Sequence, residues 1–352
     1  MKKIIIVGEP TQHKKYEGGP RLIHTLLIKY FRERFDSSLI IAPRDQYIES
    51  SKLVQLFHLI KAFYNFRPSI VIVTTFGFHI LFVSILSKLT RTPVVCIIHS
   101  LKKVSLDYRK ESIFSLNFFR NSLFRNCLEK LLISISSTQI FPSNFFLKET
   151  ISKGYKICNP KVIYHGIEKD FISNGPKQKT YSNIFSIVGG LLNVKGTDRI
   201  NLILKSLPEN SMLNWIGYDK LDRVQNMNDI LTYKNPRFTI YEYANRYEFV
   251  SFLDKTVILL VPSYFESFSV VVLEACARGV PVILSDAVGI KELVEYYDSG
   301  IVDTFKSTEH LGNSIETILN NYNYYSTNAI KMASNSTWNK FIEDYIQIIN
   351  SL

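Results

Sequence analysis

The sequence predicts an α/β protein built from two doubly wound parallel-sheet domains in tandem. Short apolar, β-branched runs alternate with longer helical stretches from end to end, the pattern of parallel strands covered on both faces. One polar stretch without periodicity, residues 173–182, interrupts that alternation near its middle. The length of 352 residues exceeds what one ordinary core encloses and suits two.

Strands of the first half are expected at residues 3–7, 39–42, 70–73, 94–99, 138–142 and 161–164. Most are short runs of Ile, Val and Leu bounded by polar or turn residues, which favours buried strands over helices. Helices are expected between them at 21–34, 51–65, 80–89 and 143–152. Past the polar stretch the pattern restarts with strands at 184–188, 213–216, 238–241, 257–261 and 280–284. Its helices are expected at 198–205, 246–253, from about 269, at 291–296 and at 310–320. A last helix, 337–352, repeats Trp338, Phe341, Tyr345 and Ile348 on one side and is expected to pack back on the first half. The domains are therefore expected at 1–172 and 183–336, with 173–182 as linker. Ligands of such folds bind outside the carboxyl ends of the strands, here in a crevice between the two sheets.

Composition excludes several classes. A hydrophobic content of 46% without low-complexity segments excludes disorder. Cys96, Cys127, Cys158 and Cys276 show neither CxxC nor Cys/His spacing, so no zinc site or disulfide framework is expected. They read as reduced core thiols. The apolar run after Met1-Lys2-Lys3 is too short for a signal peptide and is broken by Gly8-Glu9-Pro10, so it reads as a first strand of a cytoplasmic protein. Residues 70–86 are long enough to suggest a membrane span, but Thr74, Thr75, Gly77 and His79 favour a strand, a loop and a helix from about residue 80. Charge is uneven: residues 1–170 hold 26 Lys and Arg against 12 Asp and Glu, and residues 171–352 hold 16 against 19. The positive excess lies wholly in the first half and points to a polyanionic partner there, nucleic acid or an anionic membrane surface.

The segment richest in chemistry runs from Val261 through Pro262-Ser263, Glu266, Ser267-Phe268-Ser269 and Glu274 to Gly279-Val280-Pro281. A strand ends at Pro262-Ser263, and a helix is expected to begin near Ser267 or Ser269, either of which can cap it. The N–H groups and positive dipole end of that helix suit a diphosphate. Glu274 is expected one or two turns inside, roughly 8–12 Å from Glu266 at about 1.5 Å of rise per residue. That is about the span from a transferring sugar to its nucleotide ribose, and a carboxylate suits the hydroxyls at both ends. Spacing alone would describe two solvated glutamates equally well.

The order Pro-Ser, Glu-x7-Glu, Glu-Ala, Gly-x-Pro resembles the signature of the retaining glycosyltransferases of family 4, and Gly289, Glu292, Gly300 and Val302 fit the family's next turn and strand. The resemblance extends over nearly the whole chain. Gly18-Gly19-Pro20 resembles the family's first glycine-rich loop, and Arg67-Pro68-Ser69-Ile70-Val71 its entry into the third strand. Thr92 to His99 resembles the strand ending in a histidine that faces the donor sugar. Asn159 to Ile167 resembles its Asn-Gly-Val/Ile segment, with His165 in place of Asn. Val188-Gly189-Gly190-Leu191-Leu192-Asn193-Val194-Lys195-Gly196 resembles the diphosphate loop, in which Lys195 matches and Gly190 stands where Arg is usual. Either Arg199 or another residue supplies the absent cation, or leaving-group stabilisation is weaker. Ser267-Phe268-Ser269 replaces a frequent Gly-Phe-Gly.

The resemblance implies the GT-B architecture, two Rossmann-like domains facing across a cleft. It implies retaining, metal-independent transfer from a UDP- or GDP-sugar to a glycan, with no cofactor. By resemblance His99, Lys195 and Glu266 are catalytic, and Gly18, Gly19, Gly189, Gly190, Ser267, Phe268, Ser269 and Glu274 complete the donor site with Lys195 and Glu266. Glu266 and His99 would hold the sugar and Glu274 the ribose. Lys195 and the helix N-terminus would stabilise the leaving diphosphate, whose oxygen takes the acceptor's proton; no covalent nucleophile is required.

The donor half is then the mildly acidic one, so the acceptor meets the basic half. There Lys102, Lys103, Arg109 and Lys110 precede Phe114, Phe118, Phe119, Leu123, Phe124 and Leu128, interleaved with Arg120, Arg125 and Lys130. A basic amphipathic helix with several Phe suits a membrane surface, though the same Phe would also serve as core. The expected acceptor is a lipid-linked glycan of a bacterial surface polysaccharide (lipopolysaccharide O-antigen or capsule), met at the inner face of the cytoplasmic membrane. Nucleic acid is not expected, since no recognition module is present. A dehydrogenase is disfavoured because no GxGxxG follows a strand. The alternatives are a nucleotide-sugar epimerase of the same architecture and a non-catalytic homologue acting as a scaffold, which Gly190 would favour.

Overall fold

The computed structural model describes residues 3–7, 27, 29–31, 33, 38–41, 60–61, 63–74, 78–101, 104, 116–176, 183–217, 235–242 and 245–352. Two compact units emerge: the described residues up to Ile163 together with Ile342–Leu352, and Tyr164–Phe341.

The first unit holds a six-stranded sheet of β1 (Ile4–Val7), β2 (Ser38–Ile41), β3 (Ile70–Val73), β4 (Val94–Ile97), β5 (Thr138–Phe141) and β6 (Pro160–Val162), in the order β2-β1-β3-β4-β5-β6. Every pairing is parallel. All four residues of β1 are buried and apolar, as a central strand covered on both faces requires. Ile5, Val7, Val71, Val73 and Val94 share one core with Phe63 and Leu132. Pro160, which has no N–H to donate, opens an edge strand. The helices are α1 (Phe78–Leu89), α2 (Leu116–Ile135) and α3 (Asn144–Ser152), the last capped by Ser143 Oγ accepting from the Phe146 N–H at 3.0 Å. The strand–loop–helix reading of 70–86 matches β3 and α1, and among the described residues no helix is long and apolar enough to cross a membrane. The expected helices at 21–34 and 51–65 lie mostly outside the described residues; positions described within them are helical. Residues 102, 103, 109, 110 and 114, and the side chains of 116–125, also lie outside them.

The second sheet contains β7 (Ile184–Val188), β8 (Met212–Gly217), β9 (Phe238–Glu242), β10 (Ile258–Val261), β11 (Val282–Ser285) and β12 (Gly300–Asp303), in the order β12-β11-β10-β7-β8-β9. It too is parallel throughout. The helices are α4 (Ile200–Ser206), α5 (Arg246–Lys255), α6 (Val270–Ala277), α7 (Lys291–Tyr297), α8 (Thr308–Asn320), α9 (Tyr322–Ser334) and α10 (Trp338–Ser351). Strand alternation divides the side chains between two cores. Phe185, Ile187, Trp215, Ile258, Leu260 and Ile283 join one, while Val188, Leu259, Val261, Val282 and Leu284 join the other. Each such burial contributes roughly 1.5–3 kcal/mol. Chain order runs outward through β7, β8 and β9, then returns to the far side of β7 with β10. The loops leaving β7 and β10 therefore emerge side by side at the topological switch point, beyond the carboxyl ends of these strands.

The units divide between Ile163 and Tyr164, ahead of the polar stretch expected as the linker. Residues 164–173 are tied to the second unit. The Ile167 N–H donates to Ser336 O at 2.8 Å, Tyr164 Oη to Glu292 Oε2 at 2.8 Å, and the Ser173 N–H to Ala277 O at 2.7 Å. Residues 177–182 lie outside the described residues.

Candidate active site

The site is built on the loops that follow β7 and β10, neighbours in the sheet. β7 ends at Val188, and Gly189 follows with φ +143°, its carbonyl accepting the Trp215 indole N–H at 2.9 Å. The Lys195 side chain runs across Gly189; a Cβ there would stand 3.6 Å from Lys195 Cε. Gly196 has φ +83°, and a Cβ on it would meet the Pro262 carbonyl, so only glycine fits between the loops. The Tyr264 N–H donates to Val194 O at 2.8 Å, and Tyr264 Oη to Asp198 at 2.8 Å. These contacts join the loop after β7 to the loop after β10.

Arg199, one candidate for the absent diphosphate cation, belongs to that joint. Its Nη1 donates to Pro262 O at 2.8 Å, and its guanidinium lies 4.0 Å from the Tyr264 ring centroid. Its position thus follows from packing the two loops.

Glu266 is fixed by its backbone first. Its N–H donates to Ala287 O at 3.0 Å and its carbonyl accepts from the Gly289 N–H at 2.9 Å, pairing it with the loop after β11. Its Oε1 lies 2.9 Å from Lys195 Nζ and accepts from Ser263 Oγ at 2.6 Å. Burial pushes the Glu266 carboxyl upward, but the Lys195 charge and hydrogen bonds from Ser263, Lys195 and Ser269 outweigh it and hold the group below the usual carboxylate range. The result is an ionised carboxylate against an ammonium at the switch point.

α6 begins at Val270, later than Ser267, and Ser269 is its N-cap residue without a side-chain cap bond. The expectation of a serine cap is corrected here for a physical reason. Ser269 sits at φ +98°, ψ 89°, outside the extended region from which a serine reaches back to its helix, and its hydroxyl serves Glu266 instead. Phe268 is a core side chain, 2% exposed, edge-on to His165 at 4.8 Å. His165, in the place of the usual Asn, also lies edge-on to Phe341 at 5.9 Å.

Glu274 lies in the second turn of α6, with a side chain 12% exposed. Burial raises its carboxyl to about 7; the Arg246 charge and hydrogen bond lower it, and Glu168 raises it. Arg246 Nη1 donates to Glu274 Oε1 at 3.2 Å and Nη2 to Glu168 Oε2 at 2.6 Å.

Lys195, Glu266, Ser267, Ser269 and Glu274 thus share the second unit with Gly189 and Gly190. His99 belongs to the first unit, just beyond β4 and 8% exposed. Gly18 and Gly19 lie outside the described residues. The motif did not single out Ser263's bond to Glu266, nor Arg246 and Glu168. A signal for Arg246 was available: an arginine in the first turn of a helix opposes the helix dipole and needs compensating carboxylates.

Residues 168–335 match the family described as Glycosyl transferases group 1. Lipopolysaccharide glucosyltransferase WaaG of Escherichia coli (strain K12) is 27% identical over 168 residues, covering 47% of this chain and 41% of that relative, so under half of its length is spanned. Sucrose-phosphate synthase of Thermosynechococcus elongatus superposes with a TM-score of 0.74 at 15% identity, covering 100% of this chain and 99% of that one. Anabaena Alr3699/HepE in complex with UDP and glucose gives 0.71 at 19% identity, with both chains covered completely. The structural likeness concerns the fold, and the family match spans Lys195, Glu266 and Glu274. Residues 168–335 thus carry the match to the group 1 glycosyltransferases, and the chain has the GT-B fold.

Proposed function

We propose that the protein transfers a sugar from a nucleoside diphosphate sugar to a hydroxyl of a glycan, with retention of anomeric configuration. The observation that carries this reading is the contact of Lys195 with an ionised Glu266 at the switch point, beside the start of the helix that bears Glu274. Glu266 would accept hydrogen bonds from the donor sugar's hydroxyls. Glu274 would accept from the ribose. Lys195 and the N–H groups opening α6 would neutralise the diphosphate as its charge develops. The bond from the anomeric carbon to the phosphate oxygen breaks, and a bond to the acceptor oxygen forms on the same face. The acceptor's proton passes to the departing phosphate oxygen. Positive charge from Lys195 and the helix end makes a metal ion unnecessary in this scheme.

The HepE complex with UDP and glucose supports a UDP-linked donor. The likeness to a lipopolysaccharide glucosyltransferase, with the positive excess of residues 1–170, supports an anionic, lipid-linked glycan acceptor met at the inner membrane surface. The test is a thermal-shift screen of UDP-, GDP-, ADP- and dTDP-sugars, followed by turnover with lipid-linked glycans and chelator. A UDP-sugar is expected to stabilise the protein and to give a product of retained configuration in chelator. Stabilisation without turnover on any acceptor would overturn the transferase reading, and an inverted product would overturn the retaining one.

A further inference from the structure

Arg246 stands where two carboxylates meet. One arm of its guanidinium donates to Glu274 and the other to Glu168, while its carbon centre lies 4.4 Å from the Phe171 ring centroid. As the first residue of α5 it faces the positive end of that helix's own dipole. The two carboxylates and the ring hold it there against that field. Among the described residues of elements near α6, Arg278 donates to Asp254 at 2.8 Å and to Phe171 O, and Lys331 on α9 is exposed. Arg246 is the cation whose bond to Glu274 is seen.

We infer that Arg246 is a positioning residue for Glu274: braced by Glu168 and Phe171, it holds that carboxyl group aimed to accept from the vicinal hydroxyls of a nucleotide ribose. The inference rests on the proposed ribose role of Glu274. A protonated carboxyl donates through one oxygen and cannot accept from two hydroxyls as a carboxylate does. Burial by itself favours that protonated form, and Glu168 adds to the tendency. Arg246 opposes both. Its planar fork spans two carboxylates at once, a geometry that a lysine ammonium does not reproduce.

The test compares UDP and GDP, each against its 2′-deoxy form, by calorimetric binding between pH 6 and pH 9. Above neutrality native protein is expected to prefer the ribonucleotide by about 10-fold or more, as for a hydrogen bond to a charged group. Glu274→Gln should abolish the preference at every pH. Arg246→Gln should lose it near neutrality and regain it toward pH 9, Arg246→Lys should restore part of it, and Glu168→Gln should carry it to lower pH. The last variant leaves the Arg246–Glu274 pair intact, so it reads the same profile should Arg246→Gln fold poorly. If Glu274→Gln keeps the preference, the ribose role itself falls. If Glu274→Gln loses the preference while Arg246→Gln weakens ribo and deoxy forms equally, or keeps the native pH profile, the ribose role stands and the positioning role falls.

Discussion

Glu266 and Glu274 belong to one short signature, and their side chains are equally withdrawn from solvent at 12% exposure, yet they are held in opposite ways. Glu266 sits in a loop paired with the strand-like backbone at Ala287 and Gly289, and it gathers Lys195, Ser263 and Ser269. Glu274 sits inside a helix, and its cation is divided with Glu168. The first carboxyl lies below its ordinary range and the second rises to about 7. Equal burial therefore decides neither; the number of donors aimed at each group does. The difference suits the proposed roles. A carboxylate beside a departing diphosphate must stay charged to keep Lys195 in place, whereas a ribose acceptor needs charge only at working pH.

The largest effect is expected at the loop carboxylate. Glu266→Gln should lower donor turnover by about 100- to 1000-fold, the range for losing one preorganised electrostatic partner. Lys195→Met should do the same, and the double variant should fall little further, because paired groups act as a unit. Steady-state turnover of all three checks this, and additive losses would dissolve the pair. A smaller effect on binding is expected at Glu274→Gln, about 10-fold in nucleotide affinity, with an opposite effect on stability. Since the Glu274 carboxyl is raised from 4.5 to about 7, the stability it confers is complete below 4.5 and is lost as pH rises through 7. Glutamine suffers no such loss. The variant should match native stability near pH 4.5 and exceed it by about 2–3 kcal/mol at pH 8, measured by urea unfolding. Equal stability at both values would erase the contrast between the two glutamates.

Why the sequence revealed one half of this site better than the other follows from what each half is made of. β7, β10 and β11 are apolar runs, and the loops leaving them carry Lys195 and Glu266, so two local motifs singled out both residues though not their contact. Arg246 meets partners 78 and 28 positions away, and no local spacing encodes such a meeting. α9 escaped notice for a different reason. Its buried side includes Ser326, Ala329 and Ala333, small residues that let it pack on α6, with Ser326 Oγ donating to Gly279 O at 2.7 Å. A helix that buries small residues has no apolar stripe to read. The units divide ahead of the polar stretch at 173–182, and residues 164–173 are tied to the second unit by backbone and tyrosine hydrogen bonds that no local composition marks.

The smallest expected effect tests why a serine occupies the last position before α6. Ser269 holds φ +98°, in the left-handed region that favours glycine, and the resembling family often has glycine there. Strain of this kind costs of order 1–3 kcal/mol. Its return is one of the hydrogen bonds that hold Glu266 ionised. Ser269→Ala keeps the strain and loses the hydroxyl, so it should lower stability at pH 7 by about 1 kcal/mol and donor turnover several-fold. Ser269→Gly loses the hydroxyl but relieves the strain, so its stability at pH 7 should equal or exceed the native value while turnover falls as in the alanine variant. The depressed Glu266 carboxyl confers stability above 4.5 that is lost as pH falls through its folded value, so both variants should begin to lose stability at a higher pH than native protein. An alanine variant with native turnover and an unchanged acid limb would mean that Ser269 is tolerated rather than used, and that Lys195 and Ser263 alone set Glu266 apart from Glu274.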